Sequence, residues 1–121
     1  MGKKIMLLVD DARFMRKILA DIFEKKGYEI IEAQDGKDAI DKYKKVKPDL
    51  VTMDIIMPQM DGIEAVKNII ALDNNAKIIM ITAIGQEGKM KQAVEAGAIG
   101  YIVKPFHPSK VLEEVKNALS G

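Results

Sequence analysis

Five short runs of strand length alternate along the chain with five stretches of helical periodicity, and this alternation restricts the fold more than any other feature. The runs are Ile5-Met6-Leu7-Leu8-Val9, Tyr28-Glu29-Ile30-Ile31-Glu32-Ala33, Leu50-Val51-Thr52-Met53, Lys77-Ile78-Ile79-Met80-Ile81-Thr82 and Gly100-Tyr101-Ile102-Val103-Lys104. A near-continuous apolar run bounded by turn residues reads as a strand covered on both faces. The second run alternates in part, as an outer strand with thinner cover does. Parallel neighbours need crossovers, which are right-handed, and helices between strands supply them. The expected architecture is α/β: a doubly wound five-stranded parallel sheet, (βα)5, with helices on both faces.

The helical stretches predict which faces are buried. The first carries Phe14, Ile18 and Ile22 at helical spacing with Met15, Leu19 and Phe23 beside them, and Gly27 stops it behind Lys25 and Lys26. Asp35-Gly36 reads as a turn before a helix over 37–46 that buries Ala39, Ile40 and Tyr43 and is closed by Pro48. Asp61-Gly62 opens a third helix with Ile63, Val66 and Ile70 on one face, flanked by Ile69 and Leu72. The fourth, between Ala83 and Gly97, has Gly85 and Gly88 near its start and a thin stripe of Met90, Ala93 and Val94, which marks it as the expected mobile element. The last begins at Pro108-Ser109 and buries Val111, Leu112, Val115 and Leu119. Met6, Met53 and Met80 read as core, and Met57, Met60 and Met90 as surface contacts.

Composition bounds the function classes. A length of 121 residues suits one domain over 1–121 that buries a core without staples. Net charge is +1 with both signs interspersed, which leaves no electrostatic footprint for nucleic acid or an anionic membrane, and Lys44-Lys45-Val46-Lys47 reads as a solvated helix end. The absence of cysteine excludes disulfides, thiol catalysis and thiolate metal sites. No apolar run approaches a membrane span, Met1-Gly2-Lys3-Lys4 leads into a strand rather than a signal peptide, and no myristoylation signal follows Gly2, so a cytoplasmic protein is expected.

The strand ends carry the chemistry. The first run stops at Asp10 and Asp11, the third at Asp54, the fourth on Thr82 and the fifth on Lys104. In a parallel sheet the C-terminal strand ends share one edge, where ligands of open α/β sheets bind, so these five residues should converge on one cleft. Two carboxylates about 4 Å apart repel by roughly 4 kcal/mol at an effective dielectric of 20, or about three pKa units. Such a cluster relieves its repulsion by binding protons or a hard cation, and an oxygen-only site with few carboxylates suits Mg²⁺ better than zinc or calcium. With the Lys104 amine and a hydroxyl opposite, the set binds phosphoryl and leaves one carboxylate free to attack.

Val9-Asp10-Asp11, Asp54 within Met53-Asp54-Ile55-Ile56-Met57-Pro58-Gln59-Met60-Asp61-Gly62, Thr82-Ala83 and Lys104-Pro105-Phe106 together resemble bacterial two-component response-regulator receiver domains, over essentially the whole chain. The resemblance implies strand order 2-1-3-4-5, as described for flavodoxin and CheY. It further implies that Asp54 accepts a phosphoryl group from a histidine kinase. Asp10, Asp11, Asp54 and the Ile56 backbone carbonyl serve Mg²⁺, Asp10 through metal-bound water. Thr82 and Lys104 bond the phosphoryl oxygens, and Tyr101 turns inward as an aromatic switch when Thr82 moves. A cis Lys104-Pro105 bond is implied in the same way. The partner face implied by relatives comprises Lys89, Met90, Gln92, Ala93, Tyr101, Val103 and Lys110.

Asp10-Asp11-Ala12-Arg13-Phe14-Met15-Arg16 and Lys104-Pro105-Phe106-His107-Pro108-Ser109 look similar to stand-alone chemotaxis receivers of the CheY kind. The implied function is that of a monomer without an output domain, phosphorylated by a CheA-like kinase and acting on a flagellar switch protein or another output partner. A phosphorelay intermediate serving a histidine phosphotransferase is the alternative within the family. An aspartate-nucleophile phosphatase of the haloacid-dehalogenase kind would need Asp-x-Asp after a strand, which Asp10-Asp11-Ala12 does not supply, and a flavodoxin-like module would need a glycine-rich phosphate loop. Apolar Ile56 and Ile84 give attacking water no polar guide, which predicts slow self-dephosphorylation and a separate phosphatase if signalling is fast. His107 reads as a surface loop imidazole.

Overall fold

The computed structural model describes residues 2–83 and 85–120; Ile84, weighed above as a neighbour of the site, lies outside them. The fold is organised around β3 (Leu50–Asp54), whose five residues are all buried, including the terminal carboxylate. In sequence order the other elements are β1 (Ile5–Val9), α1 (Arg13–Glu24), β2 (Glu29–Ala33), α2 (Gly36–Val46), α3 (Gly62–Leu72), β4 (Ile78–Ala83), α4 (Glu87–Ala96), β5 (Gly100–Lys104) and α5 (Pro108–Ser120). The strands pair in parallel in the order β2-β1-β3-β4-β5, as expected. Central β1, β3 and β4 are the apolar runs, and the partly alternating β2 takes an edge with Ile30 and Ile31 half-buried. Val9 lies opposite Met53, Asp54 opposite Ile81 and Ala83 opposite Lys104, so the polar strand ends share one edge.

Alternation along each strand divides the core in two. Leu7, Val9, Val51, Met53, Ile78 and Met80 face α2, α3 and α4. Met6, Leu8, Leu50, Ile79, Ile81 and Ile102 face α1 and α5. Burying a side chain of this size contributes about 1.5–3 kcal/mol, so a one-residue slip that exchanged the faces of a strand is strongly disfavoured.

Several faces differ from the sequence expectation. On α1 the buried residues are Leu19, Ala20 and Phe23, whereas Phe14 is 67% and Ile18 43% exposed. The apolar arc of this helix is wider than its contact with the sheet, and periodicity alone does not say which edge of the arc turns outward. On α3 the buried line runs through Ile63, Ala65, Val66 and Ile69, with Leu72 exposed at the end of the helix and Ile70 half-buried. On α4, Val94 is exposed. Ile40, Leu112 and Leu119 are half-buried rather than buried. Met57 and Met90 are core residues rather than surface contacts, and Met60 is half-buried against Gly36. Asp35-Gly36 is not a free turn: Asp35 caps α2, its carboxylate accepting from Asp38 N at 2.8 Å, and Gly36 is the first helical residue. α4 starts later than the glycines suggested, at Glu87, with Gly85 left in the loop at φ +96°.

Candidate functional site

Asp10 is held at the end of β1 from three directions. Its backbone N–H donates to Ala33 O at 3.2 Å, prolonging the pairing with β2. Its Oδ1 accepts from Ala12 N at 2.8 Å, closing the turn into α1, which has no capping side chain of its own. Its carbonyl accepts from Arg16 Nη1 at 2.6 Å. Oδ2 is left buried without a hydrogen-bond partner.

Asp54 is set by the close approach of α3. Gly62 N donates to Ile55 O at 2.7 Å, and a Cβ at Gly62 would stand 2.1 Å from the Asp54 carbonyl oxygen. Only glycine permits that approach. Asp61 caps the helix through its carboxylate, 2.9 Å from Glu64 N, and Gln59 takes a left-handed φ of 69° in the loop between. Ile56 lies in the same loop, two residues beyond Asp54, with its side chain 53% exposed.

The strand ends do converge. Asp10, Asp11 and Asp54 each offer a carboxylate oxygen within 4.8 Å of the other two. Lys104 Nζ stands 3.6 Å from Asp10 Oδ2 and 3.6 Å from Asp54 Oδ2, an ion-pair distance longer than a hydrogen bond. Thr82 is buried, and its Oγ1 donates to Ala83 O at 3.3 Å rather than to any carboxylate. Tyr101 is 52% exposed, its ring turned out of the sheet edge. The Lys104-Pro105 bond is cis, as the resemblance implied.

Burial is the largest influence on both inner acids. It pushes Asp54 from 3.8 up to about 6, with the charge of Asp10 adding to the rise and Lys104 and the Ile56 N–H opposing it. Burial likewise raises Asp10, against the Ala12 N–H and Lys104. Two buried acids facing one ammonium, with the exposed Asp11 beside them, leave a negative excess in a partly dry cleft. An orphaned buried carboxylate oxygen on an acid whose carboxylate gathers with two others is the environment a hard, oxygen-preferring cation fits, and Mg²⁺ tolerates so few protein ligands because it keeps water.

The surface expected to meet partners is only partly a surface. Gln92, Tyr101, Val103 and Lys110 are exposed and Lys89 is half-exposed, but Met90 and Ala93 are buried beneath α4. These two residues are what joins α4 to the core, because its apolar stripe is too thin to pack and to present itself at once. His107 is exposed, its Nδ1 2.9 Å from Ser109 Oγ at the start of α5. Arg16 was missed as a contributor to the site, since a lone arginine on a helix shows no pattern in sequence. Gly62 lay inside the quoted motif, yet its role follows only from the distance to Asp54.

Residues 6–116 match the family described as response regulator receiver domain. The chemotaxis protein CheY of Thermotoga maritima is 55% identical over 114 residues, covering 93% of this chain and 94% of that protein. The chemotaxis protein CheY of Bacillus subtilis is 50% identical over 116 residues, with coverage of 95% and 97%. Among solved structures, the CheX-CheY-BeF3-Mg²⁺ complex from Borrelia burgdorferi contains a chain 44% identical to this one, superposing with a TM-score of 0.89 over 94% of this chain and 87% of that one. With residues 6–116 matching the family, five parallel strands in this order and three acids from two strand ends gathered at one edge, the chain belongs to the response-regulator receiver family.

Proposed function

We propose that residues 1–121 form one chemotaxis-type receiver that accepts a phosphoryl group on Asp54 from a phosphohistidine of a CheA-like kinase in the cytoplasm. The observation that carries this reading is the juxtaposition at Asp54: a buried carboxylate ending the central strand, beside an unpartnered Asp10 oxygen, with Lys104 Nζ 3.6 Å from both. The ionised Asp54 oxygen forms a bond to phosphorus while the bond from phosphorus to the histidine nitrogen breaks and its electron pair stays on the imidazole. Lys104 is placed to pair with a phosphoryl oxygen without moving far.

Asp10, Asp11, Asp54 and the Ile56 carbonyl are the residues that hold Mg²⁺ in this reading. Bound there, the ion supplies electrostatic stabilisation of charge on the transferred group. Once Asp54 carries the phosphoryl group as an acyl phosphate, a phosphoryl oxygen offers the buried Thr82 hydroxyl a stronger acceptor than the Ala83 carbonyl. Movement of Thr82 towards it opens space for Tyr101, now outward, to turn in. The α4-β5-α5 face then changes shape, presenting Lys89, Gln92, Tyr101, Val103 and Lys110 to an output protein such as a flagellar switch component. The likeness to a CheY chain crystallised with CheX supports a CheX-like partner as well. The chain is on this reading a phosphoacceptor in signalling rather than an enzyme acting on a metabolite. Relatives at 55% and 50% identity, both chemotaxis proteins, favour this role over a phosphorelay intermediate.

Intact mass after incubation with a small phosphodonor tests the reading. A single phosphoryl adduct is expected with Mg²⁺, and none without the ion or in Asp54→Ala. No adduct with any donor at saturating Mg²⁺ overturns the phosphoacceptor assignment.

A further inference from the structure

We infer that Arg16 is a positioning residue for the acidic cluster, setting the cation affinity of the site without touching the cation. This rests on the reading of Asp10, Asp11 and Asp54 as the Mg²⁺ ligands. Arg16 projects from the first turn of α1 with its side chain only 13% exposed, and its guanidinium spans two acceptors on different elements: Nη1 to the Asp10 carbonyl at 2.6 Å and Nε to Glu32 Oε1 on edge strand β2 at 2.8 Å. The backbone carbonyl of Glu32 is itself held by Lys42 of α2. The fork therefore ties the β1-α1 turn to a fixed strand.

The consequence falls on the Asp10 side chain. Ala12, which precedes α1, supplies no capping side chain, so the turn between strand and helix is closed by the Asp10 Oδ1 bond to Ala12 N and by the Arg16 bond to the Asp10 carbonyl. With Oδ1 committed to the turn and the Asp10 peptide clamped, Oδ2 faces Lys104, whose ammonium also faces Asp54 Oδ2. Releasing the peptide gives Asp10 and Asp11 the freedom to turn away from one another, which their mutual repulsion favours. An oxygen cage that must be assembled on binding holds its ion more weakly than one held ready.

Charge and position make opposite predictions here, which makes the inference decisive to test. A guanidinium near a cation site repels the cation, so if Arg16 acted only through its charge its removal would tighten binding. If it acts by position, removal weakens binding. Lysine keeps the charge but, as a point donor, cannot span both acceptors.

Mg²⁺ titration by calorimetry on the full chain, with urea unfolding in EDTA alongside, separates these cases for Arg16→Gln, Arg16→Lys and Glu32→Ala. The expected result is about tenfold weaker Mg²⁺ binding in Arg16→Gln, a comparable loss in Arg16→Lys and about threefold in Glu32→Ala. Unchanged or tighter binding in Arg16→Gln overturns the inference. So does a lower urea midpoint with the Kd of the folded protein intact, the mark of a merely structural arginine. If Arg16→Gln does not fold, Arg16→Lys and Glu32→Ala decide on the same criterion. A parent chain that binds no Mg²⁺, or binds it equally well with Asp54→Asn, overturns the metal-site reading and the inference with it. That outcome is distinguishable from failure of Arg16 alone, in which the parent binds and only the variants fail to differ.

Discussion

Replacing Asp54 by asparagine should stabilise the metal-free protein, and the gain should depend on pH in a manner the geometry fixes. Burial and the neighbouring Asp10 raise the folded-state pKa of Asp54 from 3.8 to about 6. The folded state therefore holds a proton that the unfolded chain has given up, and stability falls as pH rises through the interval between the two values. Well below 3.8 both states are protonated and the penalty is absent; well above about 6 it is fully present. A rise of this size corresponds to about 3 kcal/mol at pH 7.5 and about 1 kcal/mol at pH 4.5. At about 4 °C per kcal/mol for a domain of this length, Asp54→Asn should raise Tm in EDTA by about 12 °C at pH 7.5 and by about 4 °C at pH 4.5. Loss of the Lys104 ion pair to Asp54 is already counted in that balance, because Lys104 opposes the rise. Thermal unfolding followed by circular dichroism at the two pH values, in low salt, reads both numbers. With Mg²⁺ at millimolar concentration the parent should recover stability by mass action and the variant far less, narrowing the gap. A variant no more stable than the parent at pH 7.5, or a gap of equal size at both pH values, would refute the electrostatic account of the cleft.

Three further outcomes follow from individual contacts. Gly62→Ala places a Cβ 2.1 Å from the Asp54 carbonyl oxygen, against backbone that cannot turn aside, so it should cost about 3 kcal/mol in urea unfolding and reduce phosphorylation of whatever remains folded. Thr52→Val replaces a buried hydroxyl that has no hydrogen-bond partner with a methyl group of the same shape, and a gain of about 1 kcal/mol is expected by the same measurement; a loss would place a partner on that hydroxyl. Ile56→Asn introduces a polar group at the exposed rim two residues past Asp54, the proposed phosphoryl acceptor, and on that proposal should accelerate decay of the phosphorylated chain several-fold, followed by intact mass over time. An unchanged decay rate would show that the apolar side chain does not limit access of oriented water.

The parts of the structure legible in sequence are those governed by period and by topology. Strand runs of five or six residues and a helix after each leave little choice of fold, and the topology then collects Asp10, Asp11, Asp54, Thr82 and Lys104 at one edge whatever the packing details. The azimuth of each helix was less legible. Phe14 and Ile18 lie on the same apolar arc as Leu19 and Phe23, and only contact with the sheet decides that the first pair turns to water. Met90 and Ala93 were misplaced for the converse reason: a thin stripe on a weakly amphipathic helix looks available to partners, yet with the partly buried Ala96 it is what holds α4 to the core. Gly62 and Arg16 were illegible as site residues because their effect is a distance to another element's backbone, and no spacing within the chain encodes it.

The energetics of the cleft join these pieces into one argument. Asp10 and Asp54 are kept partly dry by the residues that make the sheet stable, since β3 is buried along its whole length. Burial that strengthens the core therefore raises the cost of charge at Asp10 and Asp54. Lys104 relieves part of that cost but stands too far for a hydrogen bond to either acid. What remains is a free-energy difference that added positive charge or loss of a negative one removes, and on the proposed reading it appears twice: as instability of the metal-free chain at neutral pH and as affinity for the cation. Any variant that relaxes the cluster without the cation, whether by neutralising Asp54 or by releasing the clamp on Asp10, should gain or keep stability while losing cation affinity. Stability and affinity should therefore move in opposite directions across substitutions that neutralise the acids of this edge, and together across substitutions in the packing beneath it.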